Sequence, residues 1–208
     1  MKIMIPCQDC ISNAFNSESV EDLTKQKMLN IEINNDGYYE IICENGHEFI
    51  SLVQQMKFEI LFDFGVMSLN DGYSREAVMN FASALETFYE FCIEVFLVED
   101  IKDVEVYNQV WKSVKNRSER QLGDFYFLFL SKLKSPPPFL DDWCIKLRNK
   151  VVHQGYIPKS DEVLKYGESV FNMISDILIE LRVSFKNAIE EIVIRNLIKL
   201  YQKTNKRE

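Results

Sequence analysis

The stretch from Ser74 to Phe96, SREAVMNFASALETFYEFCIEVF, decides the fold. Val78, Phe81, Ala82, Leu85, Phe88, Tyr89, Cys92 and Phe96 recur at spacings of three and four, the period of a helix with a broad apolar face. Ser74 is a good N-cap, and Asn70-Asp71-Gly72 just before it ends whatever helix precedes.

Working outward, the same period extends in both directions. From Glu48, the residues Phe49, Leu52, Val53, Met56, Ile60 and Phe64 share one face and predict a helix up to Asn70. Beyond Phe96, helical patterns cover 104–115 and 118–133 and stop at Ser135-Pro136-Pro137-Pro138, where proline cannot continue a helix and the chain becomes a stiff connector. Another helix starts near Leu140, turns Trp143, Leu147 and Val151 inward, and closes at Gly155 and Pro158. The last begins at Ser160, with Asp161 and Glu162 favourable to its N-terminal dipole, and its stripe runs through Val170, Ile174, Ile177, Leu181, Phe185, Ile189 and Ile192 toward Tyr201. About forty residues is too long for an ordinary surface helix, so it either breaks or packs against a partner chain. No internal repeat is visible. Lys199, Lys203, Lys206 and Arg207 make a basic end that frays.

Residues 1–47 have a different texture, polar and rich in Asn, Ser and Asp. Leu29–Ile33 and Tyr38–Ile42 are β-prone runs joined by Asn35-Asp36-Gly37, which predicts a β-hairpin. The expected architecture is therefore mainly α: a small β-hairpin module over 1–47 followed by a helical bundle over 48–208. Composition agrees, since 208 residues with 47% hydrophobic content can bury a sizeable core, and 7 Gly and 5 Pro are too few for a many-turned β-sandwich.

The net charge of -8 is an average over two unlike halves. Residues 1–100 hold 5 Lys/Arg against 18 Asp/Glu, and residues 101–208 hold 19 against 14, so a positive surface can exist within an acidic protein. A phosphate-bearing partner stays open. Met1-Lys2 leads into Cys7 and Asp9 with no secretory apolar region, and no run of about 18 apolar residues occurs, so the chain reads as cytoplasmic. There, five cysteines point to thiols or metal ligands rather than disulfides.

Four residues of the amino-terminal module have the spacing of a zinc site. Cys7 and Cys10 form C-x2-C, Cys43 and His47 form C-x3-H, the predicted hairpin lies between the pairs, and Gly46 allows the tight turn of a knuckle. A polar segment this short lacks apolar area for a core of its own, and metal binding supplies folding energy. Four protein ligands leave no open position for water, so such a zinc is structural, one per chain. His47 is expected at the entry to the first helix. Cys92 and Cys144 fall on apolar faces as core residues.

The second constellation is Leu147-Arg148-Asn149-Lys150-Val151-Val152-His153-Gln154-Gly155. Asn149 and His153 are i,i+4 neighbours, while Arg148 lies about 140° from His153 around the helix and needs its long side chain to curl toward the imidazole. His153 sits in the last turn, where the helix dipole favours its protonated form. His can take the 2′-hydroxyl proton of RNA or protonate the leaving oxygen, and Arg can hold the phosphate through the charged transition state, with no metal required. One imidazole cannot be acid and base at once, so a two-fold dimer that brings a second Arg148 and His153 completes the site. Lys146 and Lys150, with Lys112, Lys115, Arg117, Arg120, Lys132 and Lys134, can supply a phosphate-tracking surface. No RNA-recognition fingerprint, Gly-rich phosphate loop or Ser-His-Asp arrangement stands out.

Arg148-Asn149-x3-His153 at the end of a helix in an all-helical domain, followed by a long final helix, resembles the signature of the HEPN superfamily. The resemblance covers roughly Glu48 to Tyr201. It implies a helical bundle, a homodimer with a shared cleft, and metal-independent endoribonuclease activity in phage defence, abortive infection or toxin–antitoxin systems, with an antitoxin or other defence protein as a partner. Arg148 and His153 take the catalytic roles and Asn149 the supporting polar position. Glu86 or Glu90, four residues apart on an early helix, can orient the Arg. The alternative reading is a non-catalytic HEPN-like module for nucleotide binding, dimerisation or interaction.

Overall fold

The computed structural model describes residues 2–16, 28–98, 100–101, 103–115 and 117–204. Two compact units emerge, one from the described residues of Met1–Gln54 with those of Ile194–Glu208, the other from Gln55–Val193. Helix dominates the described residues, and a small strand-containing region at the amino end lies beside four Cys and His residues that can hold a metal. Lys206 and Arg207, expected to fray, lie outside the described residues.

The amino-terminal unit runs β1 (Lys2–Pro6), α1 (Gln8–Asn16), β2 (Met28–Glu32), β3 (Tyr38–Ile42) and β4 (Glu48–Leu52). Two predictions fail here. The runs around Asn35-Asp36-Gly37 do not pair with each other: β2 pairs antiparallel with β1 (Ile3 opposite Ile31), and β3 with β4 (Glu40 opposite Ile50). The turn itself is real, since Asn34 Oδ1 accepts the Asp36 and Gly37 N–H groups at 2.8 and 2.9 Å and Gly37 has a φ of 63°. It redirects the chain between two ladders instead of closing one. Residues 48–52, expected as helix, are strand, because their alternation fits pairing with β3 as well as it fits a helical face. The small core of this unit is Ile5, Tyr39 and Ile41, with Ile3, Leu29, Ile31, Phe49 and Val53 half-buried around it.

The second unit contains α2 (Lys57–Asn70), α3 (Ser74–Val98), α4 (Val104–Val114), α5 (Ser118–Leu133), α6 (Asp142–Gln154) and α7 (Ser160–Ser184), and α8 (Lys186–Thr204) begins in it. At the start of α2 the Met56 N–H donates to Glu59 Oε2 at 2.7 Å, and before α7 the Lys159 N–H donates to Glu162 Oε2 at 2.9 Å, so each helix opens with the glutamate at its third position closing an orphan donor. The long final helix breaks at Phe185, whose φ of -134° and ψ of 33° leave the helical region. Among the described residues no helix is long and apolar enough to cross a membrane.

Helix α3 is buried nearly all round, from Ala77 and Val78 to Val95 and Phe96, and α2, α5, α6 and α7 pack on it. Its Phe81 ring lies between two glycines. A Cβ built on Gly65 of α2 would stand 2.4 Å from the ring, and one on Gly167 of α7 would stand 2.8 Å away. Alanine in a helix gains about 1 kcal/mol over glycine, while overpacking a core costs roughly 1–3 kcal/mol. The contact at Gly65 is far inside van der Waals range and the ring has no room to retreat, so overpacking wins. Gly65→Ala is expected to destabilise the protein in urea unfolding, and by more than Gly167→Ala; equal or increased stability in both would contradict this packing.

Candidate functional site

The amino-terminal unit gathers all four of its expected ligands. Cys7 follows β1, Cys10 lies in α1, and Cys43 and His47 flank the tight turn between β3 and β4. That turn is closed by Gly46 N–H to the Cys43 carbonyl at 2.8 Å and Cys43 N–H to the His47 carbonyl at 3.0 Å, and Gly46 takes a φ of 81°. His47 therefore belongs to a hairpin turn and not to the entry of a helix, which begins ten residues later at Lys57.

The four ligand atoms lie within 4.8 Å of one another. His47 Nδ1 is 3.2 Å from Cys10 Sγ, 3.4 Å from Cys43 Sγ and 3.6 Å from Cys7 Sγ, and the Cys10 and Cys43 sulfurs are 3.7 Å apart. A tetrahedron with metal–sulfur bonds of about 2.3 Å and a metal–nitrogen bond of about 2.0 Å has edges of roughly 3.5–3.8 Å, close to these four of the six donor separations. Asn45 Nδ2 donates to Cys10 Sγ at 3.3 Å, an outer hydrogen bond of the type that steadies a thiolate ligand. Burial pushes the Cys43 thiol up, but hydrogen bonds from the His47 and Asn45 backbone and from the neighbouring thiols bring it down to about 7. For Cys10 the Asn45 hydrogen bond is the largest influence and lowers its pKa, yet burial and the adjacent thiols together raise it. The cluster can hold a metal ion. Cys92 and Cys144, at 0% exposure, are buried in the helical core.

In the helical unit, Arg148, Asn149 and His153 come from the last two turns of α6, which is capped by Gly155 with a φ of 68°. Leu147 and Val151 of the same helix are buried and hold it against the core. Glu86 comes from α3. Arg148 Nη2 donates to Glu86 Oε1 at 2.8 Å, and Nη1 lies 3.2 Å from Asn149 Oδ1 and 3.4 Å from His153 Nε2. The Arg side chain thus covers the angular separation that the helical period puts between it and His153. Nε2 accepts from Arg148 only in the tautomer carrying its proton on Nδ1. His153 and Asn149 are exposed, whereas the Arg148 and Glu86 side chains are 30% and 39% exposed.

Of the two acidic candidates, Glu86 reaches Arg148, and Glu90, one turn along, turns elsewhere. Glu90 Oε1 accepts from Gln121 Nε2 at 2.9 Å, and burial raises its pKa despite that bond. Gln121 also donates to the Lys115 carbonyl at 3.0 Å, pinning the start of α5. Among the basic residues near the motif, Lys132 is bonded to Asp100 and Lys150 stands 5.8 Å over the Tyr156 ring, while Lys146 is exposed.

Sequence reasoning did not find the cleft beside Arg148. It has a volume of about 270 Å³ and a wall from α3, α5, α6, α7 and the connector, including Tyr89, Leu122, Tyr126, Leu140 and Tyr166. Tyr126 and Leu122 carry an apolar spacing on α5 indistinguishable from core, so no local signal marks them as lining a cavity. Comparison of the chain with protein-family models, with characterised proteins and with solved structures finds no match.

Proposed function

We propose that the helical unit is a HEPN-type, metal-independent endoribonuclease, and that the Cys7, Cys10, Cys43 and His47 cluster holds a structural zinc. The observation that carries the first reading is a single guanidinium in contact with a carboxylate, an amide and an imidazole at the mouth of a cleft. Glu86 and Asn149 fix Arg148, so it meets a phosphate already oriented. His153 is exposed and within reach of that phosphate's neighbours, where it takes the 2′-hydroxyl proton or protonates the departing 5′-oxygen. The 2′-oxygen attacks phosphorus, the bond to the 5′-oxygen breaks, and a 2′,3′-cyclic phosphate remains. Because one imidazole supplies one of these roles, a homodimer brings the second. Phage defence or a toxin–antitoxin pair, acting in the cytoplasm with a partner that restrains it, suits an enzyme of this kind. The zinc reading is supported by three thiols and one imidazole gathered within 4.8 Å of one another, the donor set of a structural zinc.

The test is chemical. Incubated with mixed RNA in EDTA, the protein is expected to leave 2′,3′-cyclic phosphate and 5′-hydroxyl ends, and His153→Ala is expected not to. Equal cleavage by both, or products with 5′-phosphates, sinks the assignment.

A further inference from the structure

The cleft beside Arg148 is larger and more apolar than a phosphate requires. At about 270 Å³ it stands at the lower end of pockets for small organic ligands, the size of one nucleoside. Leu122, Leu140 and Ile145 line it together with the Tyr126 ring. That ring packs against Phe125 at 5.7 Å and edge-to-face against Phe139 at 4.9 Å. Glu119 adds a carboxylate on the same wall, an acceptor for the N–H edge of a base. Arg148 has five N–H donors, and its contacts to Glu86, Asn149 and His153 use three, leaving two that make no bond among the described residues. Proteins read single-stranded RNA by placing unstacked bases against aromatic and apolar side chains while cations hold the backbone. Apolar wall, aromatic ring, the Glu119 carboxylate beside the Arg148-bound Glu86, and spare guanidinium donors stand together here.

We propose that this cleft is a nucleobase pocket, occupied by the base of the nucleotide whose phosphate rests on Arg148. The proposal rests on the ribonuclease reading for that phosphate, and it makes cleavage depend on the identity of one base beside the broken bond. Tyr126 supplies the stacking face, and Ile145 guards the opening.

The probes are the four nucleoside 3′-monophosphates and inorganic phosphate, titrated into the His153→Ala protein. At least one nucleotide is expected to bind about tenfold or more tighter than inorganic phosphate, the gain that stacking on an aromatic ring gives. Ile145→Trp, at a position 50% exposed and therefore tolerant, is expected to fill the pocket and bring that nucleotide down to the affinity of phosphate alone. Leu140→Trp closes the same space from the connector and is expected to do likewise. Four nucleotides bound no tighter than phosphate overturn the pocket, as does unchanged discrimination in both filled variants. Cleavage is scored separately with the unsubstituted protein: base discrimination without cleavage keeps the pocket and removes the ribonuclease. Cleavage whose mapped ends show no base preference removes the pocket and keeps the ribonuclease.

Discussion

Removing the metal from the native protein is expected to unfold the strand module while the helices of Gln55–Val193 persist. The module's own core is three buried side chains, Ile5, Tyr39 and Ile41, with a half-buried rim. So small a core does not offset the conformational entropy lost when the module's backbone is ordered. Structural zinc contributes about 10–16 kcal/mol in small modules, so a zinc on the proposed site would decide whether this one folds. Chelation, or Cys43→Ser, should collapse the amide dispersion of β2, β3 and β4 in a proton–nitrogen correlation spectrum while helical circular dichroism declines little. Dispersed strand resonances in protein shown to contain no metal would overturn the expectation. Elemental analysis of untreated protein should find about one zinc per chain, the stoichiometry of a four-ligand site.

The second large effect is at Arg148. Arg148→Ala is expected to lower kcat by about 10²–10³, the usual loss when a donor to a developing oxyanion is removed. Arg148→Lys should recover little, because an ammonium cannot bridge Glu86, Asn149 and a phosphate as a planar guanidinium does. His153→Ala should cost about 10²–10⁴, and the double variant scarcely more, since groups acting on one transition state are not additive. If a homodimer completes the site, activity per chain must also fall on dilution, with a midpoint at the dimer dissociation constant. Activity per chain that holds constant to nanomolar protein, beside a monomeric sedimentation profile, would remove the shared cleft.

How far the chain was legible depended on the range of the interactions involved. The helices from Ser74 onward follow from apolar periodicity and punctuation, because a helix closes its hydrogen bonds within a few residues. The break at Phe185 was foreseeable as a length problem but not as a position, since Phe185 itself continues the apolar stripe. Strand pairing is non-local, and there the reading failed: Asn35-Asp36-Gly37 makes a genuine turn, yet β2 finds its partner 22 to 30 residues upstream in β1. Phe49 to Val53 fit two periods at once, and only pairing with β3 selects strand. The gathering of Cys7, Cys10, Cys43 and His47 was legible from spacing although the hairpin around them was misassigned, because two short knuckles constrain four donors whatever connects them. Glu86 was narrowed to one of two positions, and the choice fell to which side of α3 meets α6.

The ring of Phe81 seated between Gly65 and Gly167 has a bearing on the cleft that its distance conceals. Gly65 of α2 and Gly167 of α7 face opposite edges of that ring, so a slide of α3 toward either helix is blocked. Glu86 lies five residues farther along the same rod and inherits that immobility. The aim of a surface carboxylate at Arg148 is in this sense machined by two hydrogen atoms, the side chains of glycines that touch neither residue. Natural variation at the polar positions can be repaired locally by a neighbouring donor or a water. A Cβ added at either glycine presses directly on the Phe81 ring, and the expected first sign is a misdirected guanidinium.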